Sequence, residues 1–465
     1  MFVITRFAPS PTGFLHIGSI RTALFSWLYA RRFNGKFLLR IDDTDISRIK
    51  IDYIHSILSS MSWLGLNYDN NPFYQSHNYF RYQEIISKLL DEKKAYYCRC
   101  TQKRLNILRI NQINNNKKPK YDRYCRDKNF SFKKDIYQVI RFKTPISGIV
   151  SFCDKVYGNI NVKNNELDDF VLIRSNGAPT YNFSSVVDDF DMKVTHIIRG
   201  NDHISNTPKQ INLFNALNVK LPVFAHLPMI LGNDGKSLSK RSGSVDIIKF
   251  KKLGILPQAL LNCLVRLGWS YGNKEIFSME DMIHYFDLTN INHSNARFSY
   301  DKLYWLNKYY QKNMSEEEIN SILFEYFRAL NINLNNGPRL VDLFNVQSGR
   351  YNTLVEICEN SRTFYQNKVI YDMSLVGKYF KLCFLPFFIK LQKELTLLDD
   401  WNENKILEFV KKLSIKNNIT VNNVIQILRV ILTGNDCSFS IKKIFIFLGK
   451  KRVLLRLKES LKLFN

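Results

Sequence analysis

The 465-residue chain is long enough for about three ordinary domains and several buried cores. With 45% hydrophobic and 14% aromatic residues it is no disordered polymer, and eight cysteines at this length make no disulfide framework. The 67 Lys and Arg against 41 Asp and Glu leave a net charge of +26 spread along the whole chain, which suits a polyanion contacted by several domains and equally matches the bias of an AT-rich reduced genome.

Phe2, Val3, Ile4 and Phe7 read as a short strand, which the Pro9–Gly13 segment turns. From His16 the pattern becomes helical, with Ile17, Ile20, Leu24, Trp27 and Leu28 on one face. Phe37–Ile41 is the next strand, closed by the acidic run Asp42, Asp43, Thr44, Asp45. A loop at the carboxyl end of the first strand of a strand–helix–strand unit opens an α/β nucleotide-binding sheet. Nothing before Pro9 has the apolar core of a signal peptide. No run approaches the roughly 18 apolar residues of a membrane span; the best, Tyr379–Leu391, is broken by Lys381 and Lys390. A cytoplasmic protein without a membrane partner is expected.

Lys93–Lys134 is dense in Lys, Arg and Asn and carries three cysteines, and strand-like segments follow at Val139–Phe142 and Gly148–Phe152. Residues 98–185 read as an α+β insertion in the sheet domain. The sheet resumes at Thr195–Arg199 and Val223–Leu227 and ends near Arg241. Beyond Ile255 the pattern is mainly helical, with Asn-rich connectors such as Asn331–Asn336, and Ile441–Asn465 reads as a packed helix with a basic outer face.

Two distant segments carry the chemistry. In Ala8–Ser19 a strand-to-helix turn offers backbone amides to phosphate. Gly18 there removes a side chain where a flat ring could lie against the helix, and His16 offers a ring N–H without a permanent charge. The second segment, Gly235–Arg241, follows an apolar strand and an Asn-Asp-Gly turn. Its two lysines and two serines suit a loop closing over a triphosphate, with charge stabilised at the α-phosphate. A P-loop would need glycine at position 230, which is Ile230. Each segment alone also reads as ordinary structure, His16 as a helix start and the lysine loop as a solvated hairpin.

Together the segments resemble the HIGH and KMSKS signatures of class I aminoacyl-tRNA synthetases. Thr5–Gly13, Leu39–Asp45, Pro179–Phe183, Val187–Asp189, His196–Gly200 and Leu238–Arg241 narrow the resemblance to the bacterial glutamyl-tRNA synthetase family. That resemblance implies a Rossmann-like catalytic domain at 1–97 and 186–245 and an acceptor-stem-binding insertion at 98–185. It also implies a stem-contact region at 246–308 and a helical anticodon-binding region at 309–465. By the same resemblance, His16 and Lys240 are catalytic. ATP would contact Pro9, Ser10, Pro11, Thr12, Gly13, His16, Gly18, Ser19, Ser237, Leu238, Ser239, Lys240 and Arg241, with Mg²⁺ on its phosphates. Glutamate, with two carboxylates and an ammonium, needs arginines and one acid. The family pattern supplies Arg6, Tyr181 and Arg199 for the side-chain carboxylate, Asp42 for the ammonium, and Ala8 and Ser10 as lining.

The chain departs from the pattern in three places. Ser19 stands where many class I enzymes carry histidine, Ser237 takes the first lysine position of the loop, and Asp42 is a methylene shorter than the usual glutamate. Cys98, Cys100, Cys125 and Asp127 match a Cys-x-Cys…Cys-x-His zinc pattern with aspartate in the last place, and Tyr121 or Tyr124 lies close as a substitute. The implied activity is monomeric glutamate–tRNA ligation of tRNA(Glu). The alternatives are a glutaminyl-tRNA synthetase, whose family ends in β-barrels, and a non-catalytic tRNA-binding relative.

Overall fold

The computed structural model describes residues 2–45, 48–133, 136–232, 234–235, 247–436 and 439–464. They fall into two compact units, one of residues 1–251 with 257–306, the other of 252–256 with 307–465.

In the first unit, β1 (Ile4–Phe7), β2 (Lys36–Ile41) and β3 (Phe73–Tyr74) form a parallel sheet in that order. Helix α1 (Ile17–Arg32) makes the crossover from β1 to β2, and it buries Ile17, Ile20, Ala23, Leu24, Phe25, Trp27 and Leu28. Its return to the sheet is tight. A Cβ on Gly35 would lie 2.1 Å from the Val3 carbonyl oxygen, so only glycine lets β2 start beside β1. Helices α2 (Ile51–Trp63) and α3 (Tyr79–Asp91) follow.

The stretch expected as an insertion begins with β4 (Ala95–Cys98) and α4 (Gln102–Asn114). Strand β4 joins β5 (Val139–Phe142) and β8 (Val171–Ile173) in an antiparallel sheet ordered β4-β5-β8. Two further strands of the same stretch, β6 (Ile149–Asp154) and β7 (Gly158–Lys163), go elsewhere. They extend a sheet ordered β7-β6-β10-β9, in which β9 (His196–Gly200) and β10 (Val223–Leu227) are parallel and β6 runs parallel to β10. The physical reason is an open edge. Without β6, the buried strand β10 would leave one row of backbone groups unpaired. Thr195 ties β9 to β1, donating its N–H to the Ile4 carbonyl at 2.9 Å. Helices α5 (Tyr181–Asp191) and α6 (Thr207–Ala216) flank these strands, and β11 (Ile230–Leu231) pairs with β12 (Ala296–Arg297). The remaining helices are α7 (Ile247–Lys252), α8 (Pro257–Val265), α9 (Met279–Tyr285) and α10 (Tyr300–Lys312). This is the α/β Rossmann-like arrangement the sequence predicts.

The second unit is helical: α11 (Glu316–Ala329), α12 (Leu340–Gln347), α13 (Leu354–Ser361), α14 (Met373–Tyr379), α15 (Leu385–Thr396), α16 (Glu403–Lys416), α17 (Val421–Thr433) and α18 (Ile441–Ser460). Capping boxes at Ser315/Glu318 and Thr353/Glu356 start α11 and α13. Helix α18 breaks at Gly449, whose φ of 71° suits glycine. Its Arg456 is fully buried, donating to the carbonyls of Thr363, Gln366 and Leu432. Among the described residues no helix is long and apolar enough to cross a membrane.

Candidate active site

The carboxyl ends of four parallel strands meet at one cleft of about 590 Å³. Strand β1 delivers Ala8, Pro9 and Ser10, β2 delivers Asp42, β9 delivers Arg199 and Gly200, and β10 delivers Leu227 and Pro228. Ligands of open α/β sheets bind at this edge, because loops rather than side-chain layers cover it.

The first turn of α1 closes one side. His16 is the N-cap, and its Nδ1 accepts the Ser19 N–H at 3.2 Å. The neutral ring therefore carries its proton on Nε2, which lies 3.1 Å from the Ser19 hydroxyl. A Cβ on Gly18 would come within 3.2 Å of the same ring, so the glycine makes room for the histidine itself. Arg21, one turn on, is buried and donates to the carbonyls of Leu267 and Pro228, pinning α1 to the end of β10. Burial lowers its guanidinium to about 10.

Deeper in the cleft, charges are chained. Asp189 receives Arg6 Nε at 3.0 Å and Arg40 Nη1 at 2.7 Å, and Arg40 Nε donates to Asp42 at 2.7 Å. Arg6, Arg40 and Asp189 are each at most 4% exposed. Burial pushes the Asp42 carboxyl above its ordinary range against the pull of Arg40. Burial also opposes charge on Asp189, yet Arg6 and Arg40 outweigh it and hold that carboxyl low. Neighbouring Asp188 is a separate hub, accepting from Gln75, Asn78 and Tyr82, and burial pushes it up to about 6.

Arg199 differs from Arg6 and Arg40. Among the described residues its hydrogen-bond partners are all neutral: Tyr181 Oη at 3.3 Å, Thr207 Oγ1 at 2.7 Å and His226 Nε2 at 3.1 Å. Burial lowers the pKa of this guanidinium. A buried cation without a carboxylate partner is costly, and an anion in the cleft would complete it.

All six residues expected to take the amino acid, Arg6, Ala8, Ser10, Asp42, Tyr181 and Arg199, line this one cleft. Of those expected at the nucleotide, Pro9, Ser10, His16, Gly18 and Ser19 line it, whereas Pro11, Thr12 and Gly13 form the turn and stay off its wall. Ser237, Leu238, Ser239, Lys240 and Arg241 lie outside the described residues. Sequence reasoning gave no role to Arg40, His203 and His226, and it left Asp188 and Asp189 as structural caps, whereas Asp189 pairs with Arg6 and Arg40. The signal was present for two of them, since Arg40 and His226 are polar residues set between apolar neighbours in their strands.

Away from the cleft, Cys98, Cys100 and Cys125 are buried with their sulfurs within 4.8 Å of one another. Tyr121 Oη lies 3.3 Å from Cys98 Sγ and 3.7 Å from Cys100 Sγ, and it accepts the Cys125 N–H at 2.9 Å. Three thiols and one phenol oxygen converging on a dry centre fit the donor set of a four-coordinate zinc site. Asp127 does not join them. Its side chain is 82% exposed and accepts from Lys143 Nζ at 3.1 Å, which corrects the expected fourth ligand. Tyr121, in the segment after α4, is the buried side chain whose oxygen meets the thiols of Cys98 and Cys100.

The chain matches two family models: "tRNA synthetases class I (E and Q), catalytic domain" over residues 2–305 and "Anticodon binding domain" over residues 312–461. It is 51% identical over 461 residues to the glutamate–tRNA ligase of Legionella pneumophila strain Lens, covering 99% of this chain and 98% of that one. To the glutamate–tRNA ligase of Francisella philomiragia it is 48% identical over 463 residues, with 99% of each chain covered. The structure is similar to a crystal structure of a glutamate tRNA ligase from Elizabethkingia meningosepticum in complex with its amino acid, with a TM-score of 0.83, 28% identity and full coverage of both chains.

Proposed function

This chain belongs to the class I tRNA synthetases of the glutamate and glutamine group, and on that premise we propose that it is a glutamate–tRNA ligase, joining glutamate to tRNA(Glu) with ATP. One observation carries the choice of substrate: Arg199 is buried at the cleft, and its hydrogen-bond partners among the described residues are all neutral. A substrate carboxylate completes that charge, whereas the amide of glutamine leaves it uncompensated. The helical second unit agrees, since glutaminyl enzymes end in β-barrels.

Arg6, Tyr181 and Arg199 hold the side-chain carboxylate and Asp42 the ammonium, with Ala8 and Ser10 against the chain. ATP would sit at the His16 helix start against Pro9, Ser10, Gly18 and Ser19, with Ser237, Leu238, Ser239, Lys240 and Arg241 as its further contacts from the sequence pattern, and Mg²⁺ would neutralise phosphate charge. The α-carboxylate attacks the α-phosphorus in line, and pyrophosphate leaves. No protein nucleophile is needed. His16 Nε2–H and Lys240 stabilise the charge that grows on the phosphate oxygens, and the site otherwise works by positioning. The terminal ribose hydroxyl of tRNA then takes the glutamyl group from the adenylate. The basic insertion holds the acceptor end and the second unit the anticodon arm.

Cys98, Cys100 and Cys125, with Tyr121 as fourth donor, would hold Zn²⁺, which in such a set braces the fold and takes no part in the chemistry. We assign the protein to the cytoplasm as a monomer.

The test is aminoacylation of a purified tRNA pool with labelled glutamate and, separately, labelled glutamine. Charging with glutamate alone supports the reading. Charging with glutamine moves the protein to the sister activity, and tRNA binding without charging makes it a non-catalytic relative.

A further inference from the structure

Two buried residues have no part in the chemistry above. Asp154 ends β6, inside the stretch that the sequence assigns to the insertion, and His226 sits in the middle of β10; both side chains are fully buried. His226 Nδ1 lies 2.6 Å from Asp154 Oδ2. The other carboxylate oxygen, Oδ1, accepts the N–H groups of Val156 and Tyr157, both at 2.9 Å, and Oδ2 also accepts the His226 N–H at 3.1 Å. Burial works against this carboxylate, but the imidazole and the two loop amides outweigh it and hold it ionised. Burial likewise keeps His226 neutral.

The consequence is a fixed tautomer. The ring proton sits on Nδ1, facing Asp154, so the lone pair of Nε2 faces Arg199, whose Nε–H it receives at 3.1 Å. Thr207 Oγ1, 3.0 Å from the same Nε2, accepts Arg199 Nη2 at 2.7 Å, and Tyr181 Oη accepts Nη1 at 3.3 Å. Three of the five guanidinium N–H groups are thus spent on anchors. One remains on each terminal nitrogen, the pair that a carboxylate takes in bidentate fashion.

We propose that Asp154 and His226 are positioning residues for the amino-acid substrate: the carboxylate sets the histidine tautomer, and the histidine holds Arg199 turned toward the substrate's side-chain carboxylate. The inference rests on the reading of the cleft as a glutamate site. It also gives β6 a role: by crossing into the catalytic sheet, it brings Asp154 behind the specificity arginine.

Asp154→Asn separates this role from a structural one. Its oxygen can keep the Val156 and Tyr157 amides, while its NH₂ takes the place of Oδ2, gives up the His226 backbone N–H and donates to Nδ1. The ring proton then moves to Nε2 and meets the Arg199 Nε–H, donor against donor. Aminoacylation kinetics on the full chain are compared for wild type, Asp154→Asn, His226→Gln, His226→Leu and Arg199→Ala, with thermal melting as the folding control. The glutamate KM of Asp154→Asn should rise about tenfold to a hundredfold, the scale of a lost hydrogen bond to a charged group, while the ATP and tRNA KM values stay near wild type. His226→Gln, whose amide oxygen can still accept from Arg199, should retain more glutamate affinity than His226→Leu. That comparison carries the test if Asp154→Asn does not fold. The proposal is overturned if Arg199→Ala raises the glutamate KM but Asp154→Asn does not, or if glutamate and ATP KM values rise together. A wild-type protein that does not charge glutamate, or an Arg199→Ala variant with unchanged glutamate KM, overturns the pocket reading itself and the relay with it.

Discussion

Ser19 donates its backbone N–H to His16 Nδ1 at 3.2 Å and sets its hydroxyl 3.1 Å from Nε2 of the same ring. The cap and the proposed phosphate donor are therefore one side chain with two faces. Nδ1 starts the helix, and Nε2 meets the Ser19 hydroxyl where that turn lines the cleft.

The two roles come apart by mutation. His16→Ala should lose the cap, at about 1 kcal/mol of stability, and roughly a hundredfold or more in adenylate formation. His16→Asp keeps an N-cap acceptor but has no proton to donate. It should melt near wild type and still be slow in pyrophosphate exchange measured with tRNA present. Recovery of rate along with stability would refute the phosphate role.

Lys240 is assigned from the sequence pattern alone. Lys240→Ala should slow adenylate formation by about a hundredfold or more with little change in glutamate KM, the loss expected of one charge-stabilising donor. Near-normal single-turnover rates would remove it from the mechanism.

Asp189 bridges two buried guanidiniums, Arg6 and Arg40. Asp189→Ala leaves both short of charge, and breaking such a pair costs about 3–5 kcal/mol. Denaturant unfolding should show that loss. The surviving enzyme should also need more glutamate, because Arg6 is released from its place. A variant as stable as wild type would mean that Asp42 alone can hold the cluster.

Purified protein prepared without chelators should carry one zinc, and Cys98→Ser or Cys125→Ser should lose it. Tyr121→Phe should weaken retention, whereas Asp127→Asn should not, given that Asp127 is exposed and bound to Lys143. Elemental analysis decides both. A metal-free wild type rejects the site.

His196 is buried beside Lys155, and burial foremost lowers its ring from 6.5 to about 4. The unfolded chain takes up a proton over that window and the folded chain does not, so stability falls as pH drops from about 6.5 to about 4. His203, lowered to about 4 by burial, and His226, lowered by burial, act in the same direction. Melting temperature against pH should be flatter for His196→Gln than for wild type over this window. Parallel curves would show that the carboxylates alone govern acid stability.

The sequence by itself determined whatever depends on neighbours a few positions apart. The β1–turn–α1 unit, the His16 cap position, the Cys98/Cys100 pair and the alternation of helix and strand are all local. The linked motifs also picked out Arg6, Ala8, Ser10, Asp42, Tyr181 and Arg199, which line one cleft. Tertiary structure decided what those local patterns leave open. Asp127 lies two residues from Cys125, yet its side chain turns outward to Lys143, and Tyr121 takes the inner place. Asp154 reaches His226 across 72 positions, and Arg6 reaches Asp189 across 183. Contacts of that range follow from strand order: β6 must lie beside β10, and α5 must pack behind β1 and β2, before those charges can meet. Periodicity states which face of a strand is buried. It is silent on which strand lies alongside, and the partners of Arg199 are set by that choice.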